Sequence, residues 1–547
     1  MITKFLDDIK RALKEAIISL GLPTDDLEIV LEVPKDATNG DYATNVAMRL
    51  ARAAHKAPVL IAQDIVSKLD LASLHVKDVN VAGAGFINFT IDLDYLLEVI
   101  GKVLNDDNYG SNNIGNGQKI DLEFVSANPT GYLHVGHGRG AAYGDSLANV
   151  LEKCGYVVTR EHYVNDAGNQ ITNMAKSVYE RYKELFGLPF ELDDDMYHGK
   201  EIIKIAEKLR SEYDDKYLNN FDLDFFREYG TKILLGNLQQ DLAKFNVHFD
   251  VWFSEKSLYA SHAVENVIKK LTSDGYTYVE DGATFLKTSL YGDEKDRVII
   301  KSDGSYTYLL PDIAYHANKL SRGYDHLIDV LGADHHGYIP RLKAAIKFMG
   351  KDPNKLDVEI LQMVRVLENG EEVKMSKRSG KAITLRDLIT EVGPDALRFM
   401  YSSKSLSTHM DLDIDLMKKN TNENPVYYVQ YAYARISGLF RTLKENGKEF
   451  EIVKEFKDIN FASISKIVKM LLQYPTYLLD AAEKRIPHKM IQYAINLATV
   501  LHSYYNDEKI IDENINLTNE KLTLLKSVQI VLKNCLNLVG VNVKERM

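Results

Sequence analysis

Apolar residues recur every three or four positions along residues 2–20, which predicts an amphipathic helix at the start of the chain. Next come a strand-like run at 27–33, a helical pattern over 42–54 and a strand near 86–91, together a small α/β unit. Residues 105–117 are rich in Asn, Asp and Gly and nearly empty of apolar side chains, the composition of a linker. Beyond it, strand-like runs at 120–125, 156–163, 327–331 and 358–366 alternate with helical patterns, the signature of a parallel sheet with crossover helices. A charged helical stretch, 172–215, interrupts the alternation and reads as an insertion. After Asp411-Leu412-Asp413 the pattern is helical to the end. The expected organisation is multidomain α/β: an N-terminal α/β module over 1–104, a parallel-sheet core over 118–405 and an all-helical bundle over 411–547.

A chain of 547 residues that is 45% hydrophobic can bury several cores. No segment approaches the ~20 uninterrupted apolar residues of a membrane span. The first twenty residues alternate charge with apolar side chains and lack a signal-peptide core, so a cytoplasmic protein without a membrane partner is expected. Cys154 and Cys535 each sit in an apolar helical pattern and read as buried, reduced thiols, and no structural metal cluster is readable. The net charge of −11 argues against a polyanionic partner only until its distribution is considered. Residues 431–547 hold 17 Lys/Arg against 13 Asp/Glu, a net +4, which leaves −15 for the preceding 430.

Two short motifs carry chemistry. His134-Val135-Gly136-His137 follows the strand-like run 120–125 and precedes a helical pattern over 138–151, which places two imidazoles beside a helix N-terminus. There, unpaired N–H groups and the helix dipole attract phosphate. Lys374-Met375-Ser376-Lys377 lies in a loop after another β-like run and a turn at Glu368-Asn369-Gly370, so its ammonium groups could reach the other side of a triphosphate. Each motif has a rival reading. The lysines could form an ordinary solvated loop. Gly136-His137-Gly138-Arg139-Gly140-Ala141 also satisfies the dinucleotide fingerprint of an oxidoreductase, with Glu161 about 20 residues on. Against that, the fingerprint needs its first glycine directly after the strand, and residues 126–135 intervene.

The two motifs resemble the HIGH and KMSKS signatures of class I aminoacyl-tRNA synthetases. The surrounding words are similar to the arginyl-tRNA synthetase family: Ser126-Ala127-Asn128-Pro129-Thr130-Gly131, Tyr163-Val164-Asn165-Asp166-Ala167-Gly168-Asn169-Gln170, Leu331-Gly332-Ala333-Asp334-His335-His336-Gly337 and Asn424-Pro425-Val426-Tyr427-Tyr428-Val429-Gln430. The likeness runs from Gly40-Asp41-Tyr42 to the terminal Met547. Departures are small: Val135 stands for the usual isoleucine and Tyr132 for a residue that is often proline.

The resemblance implies a Rossmann-like catalytic core and a two-step, ATP-dependent charging of tRNA(Arg) with arginine, with Mg2+ entering alongside ATP. It implies catalytic and ATP-binding roles for His134, Gly136, His137, Lys374 and Lys377, with Gly332 and Asp334 on the nucleotide side. For arginine it implies Glu255, Tyr308 and Asp312 at the guanidinium, and Glu123 and Asn128 at the α-amino end. A guanidinium pairs well with carboxylates because its planar fork donates two parallel hydrogen bonds. Glu255 could alternatively be a surface salt-bridge partner, and His335 and His336 could ligate a metal, though no third ligand appears at useful spacing. For tRNA the carried-over contacts are Phe86 and Asn88 at the D-loop and Tyr431, Arg435 and Met547 at the anticodon. Of Tyr427, Tyr428, Tyr431 and Tyr433, two are expected to be core residues. A monomer is expected, and a binding protein that kept the fold but lost catalysis is the remaining alternative.

Overall fold

The computed structural model describes residues 2–25, 27–34, 36–373, 383–447 and 449–547. The predicted first helix forms over Ile2–Ser19 and buries Phe5, Ile9, Leu13 and Ile17 on one face. It covers an antiparallel sheet of β1 (Tyr42–Thr44), β2 (Val76–Ala82) and β3 (Phe86–Ile91), ordered β1-β3-β2. Residues 27–33 do not become a strand. Leu27, Ile29 and Leu31 pack on the core, but the three-residue edge of β1 offers their backbone a single bridge, Glu32 to Ala43. The helix expected over 42–54 starts late, at Val46–Ala54, because Tyr42–Thr44 is taken by the sheet.

Residues 105–117 are docked. Tyr109 is buried, and its hydroxyl donates to the carbonyl of Leu471 at 2.9 Å. That carbonyl lacks its helical donor because Pro475, four residues on inside the helix Phe461–Glu483, has no N–H. A sequence-distant tyrosine thus repairs a proline gap.

The central sheet holds β4 (Lys119–Glu123), β5 (Val157–Val164), β6 (Val251–Ser254), β10 (His326–Gly332) and β11 (Leu356–Leu361), all parallel, in the order β11-β10-β4-β5-β6. Between β5 and β6 stand helices Gly168–Leu185, Lys200–Tyr213 and Leu223–Lys244 around their own core of Val178, Tyr182, Ile205 and Phe226, so the helical insertion extends past the predicted 215. Between β6 and β10 lies an antiparallel meander of β7 (Thr277–Glu280), β8 (Ala283–Leu286) and β9 (Arg297–Ile300).

The run 358–366, expected as one strand, breaks at Gln362-Met363. It leaves the central sheet and re-forms as β12 (Val364–Glu368), flanked by β13 (Glu371–Glu372) and β14 (Met410–Asp413). Asn369 and Gly370, both at positive φ, make the tight turn between β12 and β13. Helices Pro425–Glu445, Phe461–Glu483, His488–Asp507 and Ile515–Leu538 complete the C-terminal region.

One apolar core runs from Ile9 through Phe124 and Leu147 to Leu525. Buried Arg398 joins the parts by hydrogen bonds to Asp145 (2.6 Å), the Phe245 carbonyl (3.1 Å) and the Val539 carbonyl (2.8 Å). Both cysteines are free and buried. Among the described residues no helix is long and apolar enough to cross a membrane.

Candidate active site

In an open parallel sheet a ligand binds beyond the carboxyl ends of the strands, where the strand order reverses. Here that point lies between β4 and β10, and a cavity of about 650 Å3 opens there. Its walls come from the ends of four strands: Glu123 and Ser126 after β4, Tyr163 on β5, Asp329 to Gly332 on β10, and Leu361 to Met363 where β11 breaks off. Asn128, His134, Gly136, His137 and Asp312 line the same space.

The histidine motif forms the start of a 19-residue helix, Val135–Lys153. His134 is its N-cap and accepts from the Gly136 N–H through Nδ1 at 3.1 Å, while its own N–H donates to His137 Nδ1 at 3.2 Å. The two rings stack with centroids 3.6 Å apart. Because each Nδ1 is an acceptor, the proton of each neutral imidazole sits on Nε2. Two ring N–H donors and a helix N-terminus therefore share one wall. Gly136, Gly138 and Gly140 all lie within this helix and not in a strand-to-helix turn, which removes the dinucleotide reading.

Gly144 lets the helix press onto the strand that carries Glu123: a Cβ there would sit 2.2 Å from the Phe124 ring. The backbone bridge between His134 and Thr384 brings the far end of the lysine segment beside the histidines. Lys374 and Lys377 themselves lie outside the described residues, as does the side chain of Asp334, which follows Gly332 at the cavity rim.

The same cavity also carries acidic groups. Asp312 is half-buried in the first turn of the helix Leu309–Ser321 and accepts from the Tyr338 hydroxyl. Glu255 is not among the residues lining the cavity; it is buried and accepts from the Tyr259 hydroxyl at 3.2 Å, so it is no surface salt-bridge partner. Tyr163 lies close to Glu255, Asp312 and Glu123 at once, and its hydroxyl is held far above its usual pKa by burial and these carboxylates. Burial likewise raises the carboxyls of Asp312 and Glu255, and among the described residues neither pairs with a Lys or Arg. Tyr308 caps the same helix, with its carbonyl 3.3 Å from the Asp312 N–H, but it does not line the cavity; its side chain is 69% exposed. Asn128 donates to the Gln170 side chain at 2.6 Å.

Sequence reasoning missed the charges beneath the cavity. Lys319, fully buried, donates to Glu123 and to Asp329, with Asp121 nearby; Arg322 forks onto Glu161. The available signal was polar residues inside apolar strand patterns, as at Asp121 in β4 and Asp329 in β10.

Far from this cavity, Tyr431, Arg435 and Met547 line a second one of about 410 Å3 together with Tyr505, whose ring lies 3.6 Å from the Arg435 guanidinium carbon. Tyr428 and Tyr433 pack into the core, whereas Tyr427 stacks on Tyr431 with centroids 5.9 Å apart. On β3, Phe86 is exposed, but Asn88 is only 5% exposed.

Three family models match the chain: "Arginyl tRNA synthetase N terminal domain" over residues 7–91, "tRNA synthetases class I (R), catalytic domain" over 99–413, and "DALR anticodon binding domain" over 429–547. The arginine–tRNA ligase of Bacillus licheniformis is 50% identical over 100% of both chains, and that of Bacillus subtilis is 50% identical over 99% of both. The arginyl-tRNA synthetase structure of Thermus thermophilus superposes with a TM-score of 0.76 over 99% of this chain and 100% of that one; at 19% identity it speaks for the fold. With a parallel-sheet crevice, a histidine-capped helix and full-length relatives at half identity all agreeing, the chain belongs to the arginyl-tRNA synthetases, a class I aminoacyl-tRNA synthetase family.

Proposed function

We infer that the chain performs the two-step reaction of an arginine–tRNA ligase. The arginine carboxylate attacks the α-phosphate of ATP, forming arginyl-adenylate and releasing pyrophosphate. The 3′-terminal ribose of tRNA(Arg) then takes the arginyl group and AMP leaves. The observation that carries this reading is the polarity of one cavity: imidazoles at a helix N-terminus, and the Asp312 carboxylate, which pairs with no Lys or Arg among the described residues.

Adenylyl transfer needs positioning and charge neutralisation more than covalent help. In this reading His134 and His137 donate to the phosphates, Gly136 lets the nucleotide approach the helix end, and Gly332 with Asp334 borders the nucleoside. Lys374 and Lys377 supply cationic charge to the triphosphate. Mg2+ enters with ATP as part of the substrate. Asp312 takes the guanidinium with Glu255 behind it, and Glu123 and Asn128 hold the α-amino end; Tyr308, outside the cavity, has no contact role in this reading.

Phe86 on the module spanning 1–104 meets the D-loop, with the buried Asn88 too enclosed to do so; Tyr431, Arg435 and Met547 on the bundle spanning 411–547 hold the anticodon. A half-buried aromatic beside an arginine, as Tyr431 is beside Arg435, suits stacking on unpaired bases. The catalytic domain spans 118–405, and the enzyme acts as a monomer in the cytoplasm. Aminoacylation of bulk tRNA with each of the twenty amino acids tests the reading. Charging with arginine alone is expected, and charging with another amino acid, or with none, overturns it.

A further inference from the structure

Asp312 and Lys319 lie seven residues, two turns, apart on the helix Leu309–Ser321, so they share one face. Asp312 reaches the cavity, while Lys319 is 0% exposed beneath it. Burying an ammonium is costly and is sustained only by nearby carboxylates. Three are present. Lys319 Nζ donates to Glu123 Oε2 and to Asp329 Oδ1 at 2.9 Å, and stands 3.4 Å from Asp121 Oδ1.

The way these contacts are divided points toward the cavity. Asp121 is as buried as the lysine, yet neither of its oxygens has a hydrogen bond among the described residues. The closest contact goes instead to Glu123, which lines the cavity and whose other oxygen accepts from Ser126 Oγ at 2.8 Å. The second oxygen of Asp329 meets His316 Nε2 at 2.8 Å, and His316 Nδ1 lies 2.8 Å from the Asp312 carbonyl oxygen. Both partners of His316 are acceptors, so the ring donates through both nitrogens. A continuous ladder therefore runs from Glu123 through Lys319, Asp329 and His316 to the backbone of Asp312.

We propose that Lys319 is a positioning residue for the amino acid, fixing the Glu123 carboxylate for the α-amino group and setting its distance from Asp312. The proposal rests on the reading of Glu123 given above. Without the ammonium, Glu123 keeps only the Ser126 hydroxyl and loses its aim. A ligand lacking the α-amino group has nothing to lose there.

The test uses the full chain and two ligands, arginine and 5-guanidinopentanoic acid, which is arginine without that amino group. Calorimetric titration of Lys319→Met should show arginine binding weakened roughly 10- to 100-fold, the loss of one charge-assisted contact. The desamino analogue should stay within about twofold of the parent. In pyrophosphate exchange with saturating tRNA present, the arginine KM should rise while kcat and the ATP KM hold. Equal weakening of both ligands, or of neither, overturns the proposal, because a general packing role would not distinguish them.

Glu123→Gln separates this failure from that of the underlying reading. If it discriminates between the ligands and Lys319→Met does not, Glu123 keeps its role and Lys319 loses its own. If Glu123→Gln does not discriminate, the assignment of the α-amino site falls. Lys319→Arg, which retains a cation, should recover discrimination toward the parent value. Should the methionine variant not fold, Lys319→Gln is titrated with the same expectation and the same overturning result.

Discussion

Asp312 and Glu255 differ from the carboxylates on the strands in pairing with no Lys or Arg among the described residues: Glu123 and Asp329 share Lys319, and Glu161 has Arg322. An unbalanced acidic group is costly without ligand and selective with it. Asp312→Asn should therefore raise the arginine KM by the equivalent of about 1.5–3 kcal/mol, while binding of neutral citrulline suffers less. A KM equal to the parent's would remove Asp312 from the pocket. A second residue controls pH response. His162 is buried between Phe249 and Trp252, and burial pushes its pKa down to about 3. The unfolded chain then binds a proton near pH 6.5 that the folded chain does not. The contribution of His162 to stability is complete above about pH 6.5 and falls as pH drops toward 3, by up to ~1.4 kcal/mol per unit. His162→Phe should flatten the denaturation midpoint between pH 6.5 and 4. An unchanged slope there would show that His162 does not set it.

At the scale of elements, the helix Val135–Lys153 matters because it is both a cavity-facing N-terminus and a buried rod against β4. Its glycines are poor helix formers taken singly, and Gly144 is retained where the Phe124 ring leaves no room for a methyl group. Gly144→Ala should destabilise the protein by about 1–3 kcal/mol despite the gain in helix propensity. Chemical denaturation checks this, and a more stable variant would show that the strand yields easily.

At the scale of the whole molecule, one core and the Arg398 bonds join the catalytic sheet to the C-terminal helices. A shared core gives tRNA held by the C-terminal helices a physical route to the active site. ATP–pyrophosphate exchange by the full chain should therefore require tRNA and fall with Arg435→Ala at subsaturating tRNA. Robust exchange without tRNA would refute this. Cutting the chain near Lys418 is no clean alternative, because it strips Arg398 of its Val539 partner and should leave insoluble protein.

The sequence alone determined what depends on local order. The period-two and period-3.6 patterns marked β4, β5 and β10 and the long helices, and the histidine motif announced a helix N-terminus because its glycines and imidazoles are contiguous. Tertiary structure decided whatever depends on partners remote in the chain. Residues 27–33 carry a strand pattern but found only one bridge, the run 358–366 broke where it leaves the sheet, and residues 105–117 became a docked segment because Tyr109 meets a carbonyl orphaned by Pro475. Lys319 shows the same limit: its charge is readable in sequence, but its burial among Glu123, Asp329 and Asp121 exists only once strands 200 residues apart lie side by side. Local pattern fixes which backbone hydrogen bonds a segment can make; the fold fixes which side chains lose water together, and that loss decides charge state and specificity.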